Sequence, residues 1–104
     1  MDNSRLLTLK KVVEQDPDDS FSRYALGLEY LSVPDNEKAK EMFEELLLKD
    51  PNYLAAYYQL GKVYELLGEA EMAQKAYEKG IYVAASQNDM HTKSELEEAL
   101  NNLL

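Results

Sequence analysis

The chain has 104 residues, no cysteine and a formal net charge of -9, from 20 acidic against 11 basic side chains. That length accommodates one domain with a modest core; the missing thiols exclude disulfides and thiolate ligation, and the acidic balance argues against nucleic acid and anionic membranes as partners. No run approaches the roughly 20 apolar residues of a membrane span, and charges follow Leu6, Leu7 and Leu9 too soon for a secretory leader, so a cytoplasmic location is expected.

In chain order, Ser4 to Gln15 brings Leu6, Leu9, Val12 and Val13 onto one face and predicts a first helix within an N-terminal segment, residues 1–16. After Pro17, the side chains of Asp18, Asp19 and Ser20 offer oxygens to the free amides of a helix start. The apolar pattern then runs to about Ser32, where Pro34 stops it by pushing the preceding residue out of helical geometry. Asp35 or Asn36 caps the next helix, which carries Ala39, Met42, Phe43, Leu46 and Leu47 at helical spacing as far as Lys49. Past Pro51, Asn52 is expected to open a helix through about Leu67, with Gly68 making the turn into a helix from about Glu69 to about Ser86. Asp89 to Leu104 gathers Leu96, Ala99, Leu100 and Leu103 into a last helix.

The two middle pairs of helices are copies of one unit. Pro17, Tyr24, Leu26, Gly27, Tyr30, Glu37, Ala39 and Glu44 recur 34 positions later as Pro51, Tyr58, Leu60, Gly61, Tyr64, Glu71, Ala73 and Glu78. Ordinary residue usage predicts on the order of two coincidences. Phe43 returns as Tyr77, an aromatic for an aromatic. Arg23 or Tyr57, Leu26 or Leu60, Gly27 or Gly61, and Tyr30 or Tyr64 fall at i, i+3, i+4 and i+7, one inward stripe. A mid-helix glycine costs about 1 kcal/mol against alanine, so its recurrence predicts a partner backbone too close for a side chain. Ala39 and Ala73 play the same part on the second helix.

These residues resemble the tetratricopeptide repeat family, whose signature falls on Leu26, Gly27, Tyr30, Ala39, Phe43 and Pro51 in the first unit and on Tyr57, Leu60, Gly61, Tyr64, Ala73 and Tyr77 in the second. The resemblance implies an all-α fold, a right-handed stack of antiparallel helix hairpins with about six helices. The expected domain comprises the N-terminal helix at 1–16, repeats at 17–50 and 51–84, and a C-terminal capping helix at 85–104. The chain departs from the pattern in four places: Arg23 stands for a large aromatic, Pro34 for the glycine of the turn, Gly80 for alanine, and Ala85 for the closing proline. Without that proline, the second unit is expected to run into the linker Ser86 to Asn88 with no sharp break, setting the last helix at an irregular angle.

The resemblance further implies a concave groove lined by first helices and receiving a peptide or partner protein. Its candidate residues are Tyr24, Leu28 and Leu31 in the first unit and Tyr58, Lys62 and Glu65 in the second. Tyrosine suits recognition because it offers a large area and a polar tip. The plainer reading is that the tyrosines are scaffold and the leucines are covered by the N-terminal helix or by a twin subunit. Some family members grip a terminal carboxylate with Lys and Asn; only Lys62, with Gln59 one turn before it, is placed for that, so the full clamp is absent.

No chemistry stands out. His91 is the single histidine, so no histidine cluster for a metal exists. Glu44 with Glu45, Glu69 with Glu71, and Glu95 with Glu97 and Glu98 lie one or two residues apart and do not converge on a substrate. No phosphate loop or nucleophile elbow is present. The expectation is a non-enzymatic adaptor or assembly module that binds protein or peptide and needs no cofactor or metal. The alternative is a scaffold that self-associates into a homo-oligomer through its end helices, where Leu6, Leu9 and Val13 form the N-terminal apolar face.

Overall fold

The computed structural model describes residues 3–104; residues 1 and 2 of the expected N-terminal segment lie outside the described residues. Among the described residues there are six helices and no strand: α1 (Ser4–Gln15), α2 (Ser20–Ser32), α3 (Asn36–Lys49), α4 (Ala55–Leu66), α5 (Ala70–Ser86) and α6 (Met90–Leu103). The chain divides between Tyr53 and Leu54 into two compact units, α1 to α3 and α4 to α6.

In the first unit α2 packs against both α1 and α3. Its start is fixed by Asp19, whose Oδ1 accepts the Ser22 amide at 3.4 Å while Oδ2 accepts the Ser22 hydroxyl at 2.6 Å. At its far end the Asp35 amide reaches back over Pro34 to the Tyr30 carbonyl at 2.6 Å, and the Asp35 side chain then caps α3 by accepting the Lys38 amide at 3.1 Å. Proline therefore tolerates the turn, because the bond that reverses the chain is donated by the residue after it. Asp16 and Asp50 end α1 and α3 with the same backbone (φ -137 and -138, ψ 78 and 75). Asp19 and Tyr53 return their amides to those aspartates' carbonyls at 3.1 Å each. The repeat thus extends back into α1, which ends as the second helix of a hairpin ends.

In the second unit α5 packs against both α4 and α6. Asn52 does not open α4 as expected. The helix begins at Ala55 with no side-chain cap, since the position equivalent to Asp19 is Tyr53, which has no acceptor to offer at that distance. Gly68 does make the turn: at φ 75 its amide bonds the Glu65 carbonyl at 3.0 Å and the Glu69 amide bonds Tyr64 at 2.8 Å. The run-on expected through Ser86 to Asn88 is not found either. Asn88 adopts the same left-handed geometry (φ 60), with its amide on Ala85 at 3.1 Å and that of Asp89 on Ala84 at 2.9 Å. Asp89 then caps α6 by accepting the Thr92 amide at 3.0 Å and hydroxyl at 2.8 Å. Asparagine tolerates this backbone better than most side chains, so no proline is needed for a sharp break.

Both inward stripes are buried. Arg23, Leu26, Gly27 and Tyr30 meet Ala39, Phe43 and Leu46; Tyr57, Leu60, Gly61 and Tyr64 meet Ala73, Ala76 and Tyr77. The reason for the glycines differs from the expected close backbone. A Cβ on Gly27 would lie 2.6 Å from Cε1 of Phe43, and one on Gly61 would overlap the Tyr77 ring. The aromatic ring of the second helix occupies the space a side chain would take. Gly80 has a different neighbour set, Tyr57 on α4 and Leu96 on α6, with its absent Cβ 2.8 Å from Tyr57 Cβ.

Candidate functional site

The outward stripe of each first helix sits one step around from its buried stripe. On α2, Tyr24, Leu28 and Leu31 are all half-buried. The Tyr24 ring is 5.8 Å from that of Phe43 and 5.4 Å from that of Tyr53, tilted against both, so it is scaffold on one side and surface on the other. Burial, followed by the field of Tyr24, pushes the Tyr53 hydroxyl above its ordinary pKa. The α1 helix lies against α2 and is tied to it by Arg5 and Glu29 at 3.1 Å. Its Leu6, Leu9 and Val13 are half-buried.

On α4 the structure brings Tyr58, Lys62 and Glu65 into one cluster. Lys62 Nζ lies 5.4 Å over the Tyr58 ring and 3.9 Å from Glu65 Oε2. The Tyr58 ring is 6.4 Å from that of Tyr77. Glu65 also accepts a hydrogen bond from the buried Tyr77 hydroxyl. Burial first, then that bond and the carboxylate's charge, drive the Tyr77 pKa far upward, so its proton stays in place as a donor. The helical spacing singled out Glu65 but not its partner on α5. A signal was available: Leu31 becomes Glu65 in the same duplication in which Phe43 becomes Tyr77.

Arg23, at the position of Tyr57, is buried. Its Nη1 lies 2.5 Å from Glu45 Oε2 and its Nη2 donates to the Pro17 carbonyl at 2.8 Å. The guanidinium thereby fills an aromatic's place and ties both ends of the hairpin together. His91 is exposed and 3.6 Å from Glu95. Among the described residues no group of three His, Cys, Asp or Glu side chains could hold a metal ion, and no helix is long and apolar enough to cross a membrane.

Helix hairpins duplicated at a 34-residue spacing, with an aromatic ring over the glycine in each, define a tandem helical-repeat protein. The tetratricopeptide repeat profile matches residues 1–84. A TPR repeat-containing protein of Pseudomonas aeruginosa is 32% identical over 88 residues, covering 85% of this chain and 84% of that one. The solution structure of a tetratricopeptide repeat domain protein from Salinibacter ruber superposes with a TM-score of 0.80 at 41% identity, covering 85% of this chain and 89% of that one. The TPR2B domain of yeast Sti1, solved in complex with pHsp70, shares the fold with a TM-score of 0.87 at 14% identity over 94% of this chain and 78% of that one. The chain belongs to the tetratricopeptide repeat family.

Proposed function

We propose that this protein is a non-catalytic adaptor or assembly module that holds a peptide or partner protein on the outward stripes of its first helices, Tyr24, Leu28 and Leu31 on α2 and Tyr58, Lys62 and Glu65 on α4. The observation that carries this reading is the contrast between neighbouring stripes of one helix. The inward stripe is buried by the hairpin partner, while the next stripe round keeps aromatic and aliphatic area only half covered. Such half-covered, tyrosine-bearing surface suits a partner that completes the burial. The TPR2B domain of yeast Sti1, which has the same fold and was solved in a complex with pHsp70, supports a protein or peptide as occupant.

Site-specific photo-crosslinking in an extract of the native cells tests it. A photoreactive phenylalanine at position 28 or 62 is expected to capture the same partner, and one at position 91, on exposed α6 surface, is not. Leu31→Glu should abolish capture from position 28 while leaving the helical circular dichroism unchanged. Equal capture from position 91, or capture insensitive to Leu31→Glu, would move the binding surface off the first helices.

A further inference from the structure

The outer faces of the two second helices carry a pattern that partner binding by the first helices does not use. On α3, Lys38, Glu41, Glu45 and Leu48 stand at i, i+3, i+7 and i+10, all exposed. On α5, Met72, Lys75, Lys79 and Tyr82 stand at the equivalent positions, also all exposed. This spacing is that of a helix-pairing seam. Leu48 is 86% exposed and Tyr82 is 77% exposed, at the same position of each repeat. The duplication keeps that large apolar residue and inverts the charge beside it, Glu41 becoming Lys75 and Glu45 becoming Lys79.

We propose that the α5 stripe of one molecule docks on the α3 stripe of a second copy. Charge complementarity names the occupant. Laid parallel, the stripes pair Leu48 with Tyr82, Glu45 with Lys79 and Glu41 with Lys75. Laid antiparallel, they pair Leu48 with Met72, Glu45 with Lys75, Glu41 with Lys79 and Lys38 with the Tyr82 ring. Either direction matches both carboxylates with both lysines and covers the exposed apolar ends. Among the described residues no carboxylate lies within ion-pair distance of Lys75 or Lys79, whereas Glu45 uses one oxygen on Arg23 and Glu41 only a 3.9 Å contact with Lys38. Lys75 and Lys79 thus present two uncompensated positive charges one helical turn apart on one exposed face, and a second acidic α3 face is the complement this chain itself supplies. Four side chains a side make a small interface, so the association is weak and reversible.

Sedimentation equilibrium over a concentration series tests the proposal. The average mass should rise toward millimolar concentration in about 0.15 M salt, where the repulsion between two chains of net charge -9 is screened beyond about 8 Å, and fall back in about 1 M salt, where screening acts over about 3 Å and weakens the ion pairs themselves. Lys75→Glu with Lys79→Glu should weaken self-association at least about tenfold, as should Glu41→Lys, because each places like charges opposite one another. Mixing the two variants should restore it, since the unaltered α3 carboxylates of the lysine-reversed variant then face the unaltered α5 lysines of the Glu41→Lys variant. All three positions are exposed, so folding is preserved and circular dichroism checks it. A mass independent of concentration, association surviving the charge reversal, or a mixture no larger than its components would each overturn the proposal.

Discussion

The Tyr77 hydroxyl donates to the Glu65 carboxylate across the α4–α5 hairpin, and 34 positions earlier the same two sites hold Phe43 and Leu31. One repeat joins its helices at this point with a polar bridge, whereas the other places two apolar side chains at the same positions. Polar and apolar pairs are interchangeable as wholes, and costly as halves, because a buried hydroxyl without an acceptor keeps its desolvation penalty.

That asymmetry sets a double-mutant cycle. Glu65→Leu alone should cost about 1–3 kcal/mol by stranding the hydroxyl, and Tyr77→Phe alone about 1 kcal/mol, since water can still solvate the exposed carboxylate. The double variant, which copies the first repeat, should recover at least about 1 kcal/mol of the sum in urea unfolding. Strict additivity would show that the two groups do not act together.

The same pair shapes the alkaline limb of stability. Tyr77 is raised above its ordinary 10.0 by burial and by Glu65. Below that value both folded and unfolded chains keep the proton, and the contribution is complete. Above it the unfolded chain releases the proton and the folded chain retains it, so stability falls as pH rises. Tyr53, raised mainly by burial, acts in the same direction. The urea midpoint should therefore drop above pH 10 in the wild type and drop less in Tyr77→Phe; identical alkaline limbs would remove Tyr77 from the account.

At the acid end, the caps work with the opposite sign. Hydrogen bonds from the Ser22 side chain and backbone lower the Asp19 carboxyl, and those from the Thr92 backbone and side chain lower Asp89, each from an ordinary 3.8. Their contribution is present above that value and is lost as pH falls below it. Asp89→Ala should lower the urea midpoint at neutral pH and flatten the acid limb. An unchanged limb would mean that the α6 cap holds without its charge.

The repeat, the hairpins and the inward stripes were legible in the sequence because each is set by spacing along one helix: Leu26, Gly27 and Tyr30 announce their shared face without any knowledge of the partner. What was not legible depends on contacts across the hairpin. Arg23 reads as an oddity until Glu45 and the Pro17 carbonyl are seen around it. Asn52 reads as a cap because its side chain suits one, yet the turn set by Asp50 places Tyr53 in the equivalent position. The sharp end at Asn88 rests on a single left-handed residue that periodicity does not reveal. The outward stripe was visible as a pattern, but the tie from Glu65 to Tyr77 lay outside its helix.

The glycines rank by what lies over them. Gly61→Ala meets a buried ring that is also tethered through its hydroxyl, and should cost about 1–3 kcal/mol despite alanine's better helix propensity. Gly27→Ala meets the untethered Phe43 ring at 2.6 Å and should cost less. Gly68→Ala meets no atom within 4 Å, but its φ of 75 makes alanine cost about 1 kcal/mol through backbone strain alone. Gly61→Trp should prevent folding altogether. Urea midpoints that placed Gly27→Ala below Gly61→Ala would contradict the tether.

Arg23 offers the last discrimination, between filling space and binding at two points. A lysine there keeps the charge and most of the aliphatic stem but reaches only one acceptor, whereas the guanidinium spans Glu45 at 2.5 Å and the Pro17 carbonyl at 2.8 Å. Arg23→Lys should therefore cost about 1–2 kcal/mol. Most of that loss should persist in about 1 M salt, because the bond to the Pro17 carbonyl is not an ion pair and escapes screening. If the position needs only bulk, the lysine variant will unfold at the wild-type urea concentration; if it needs only the ion pair with half-exposed Glu45, the difference between the two proteins will vanish in salt.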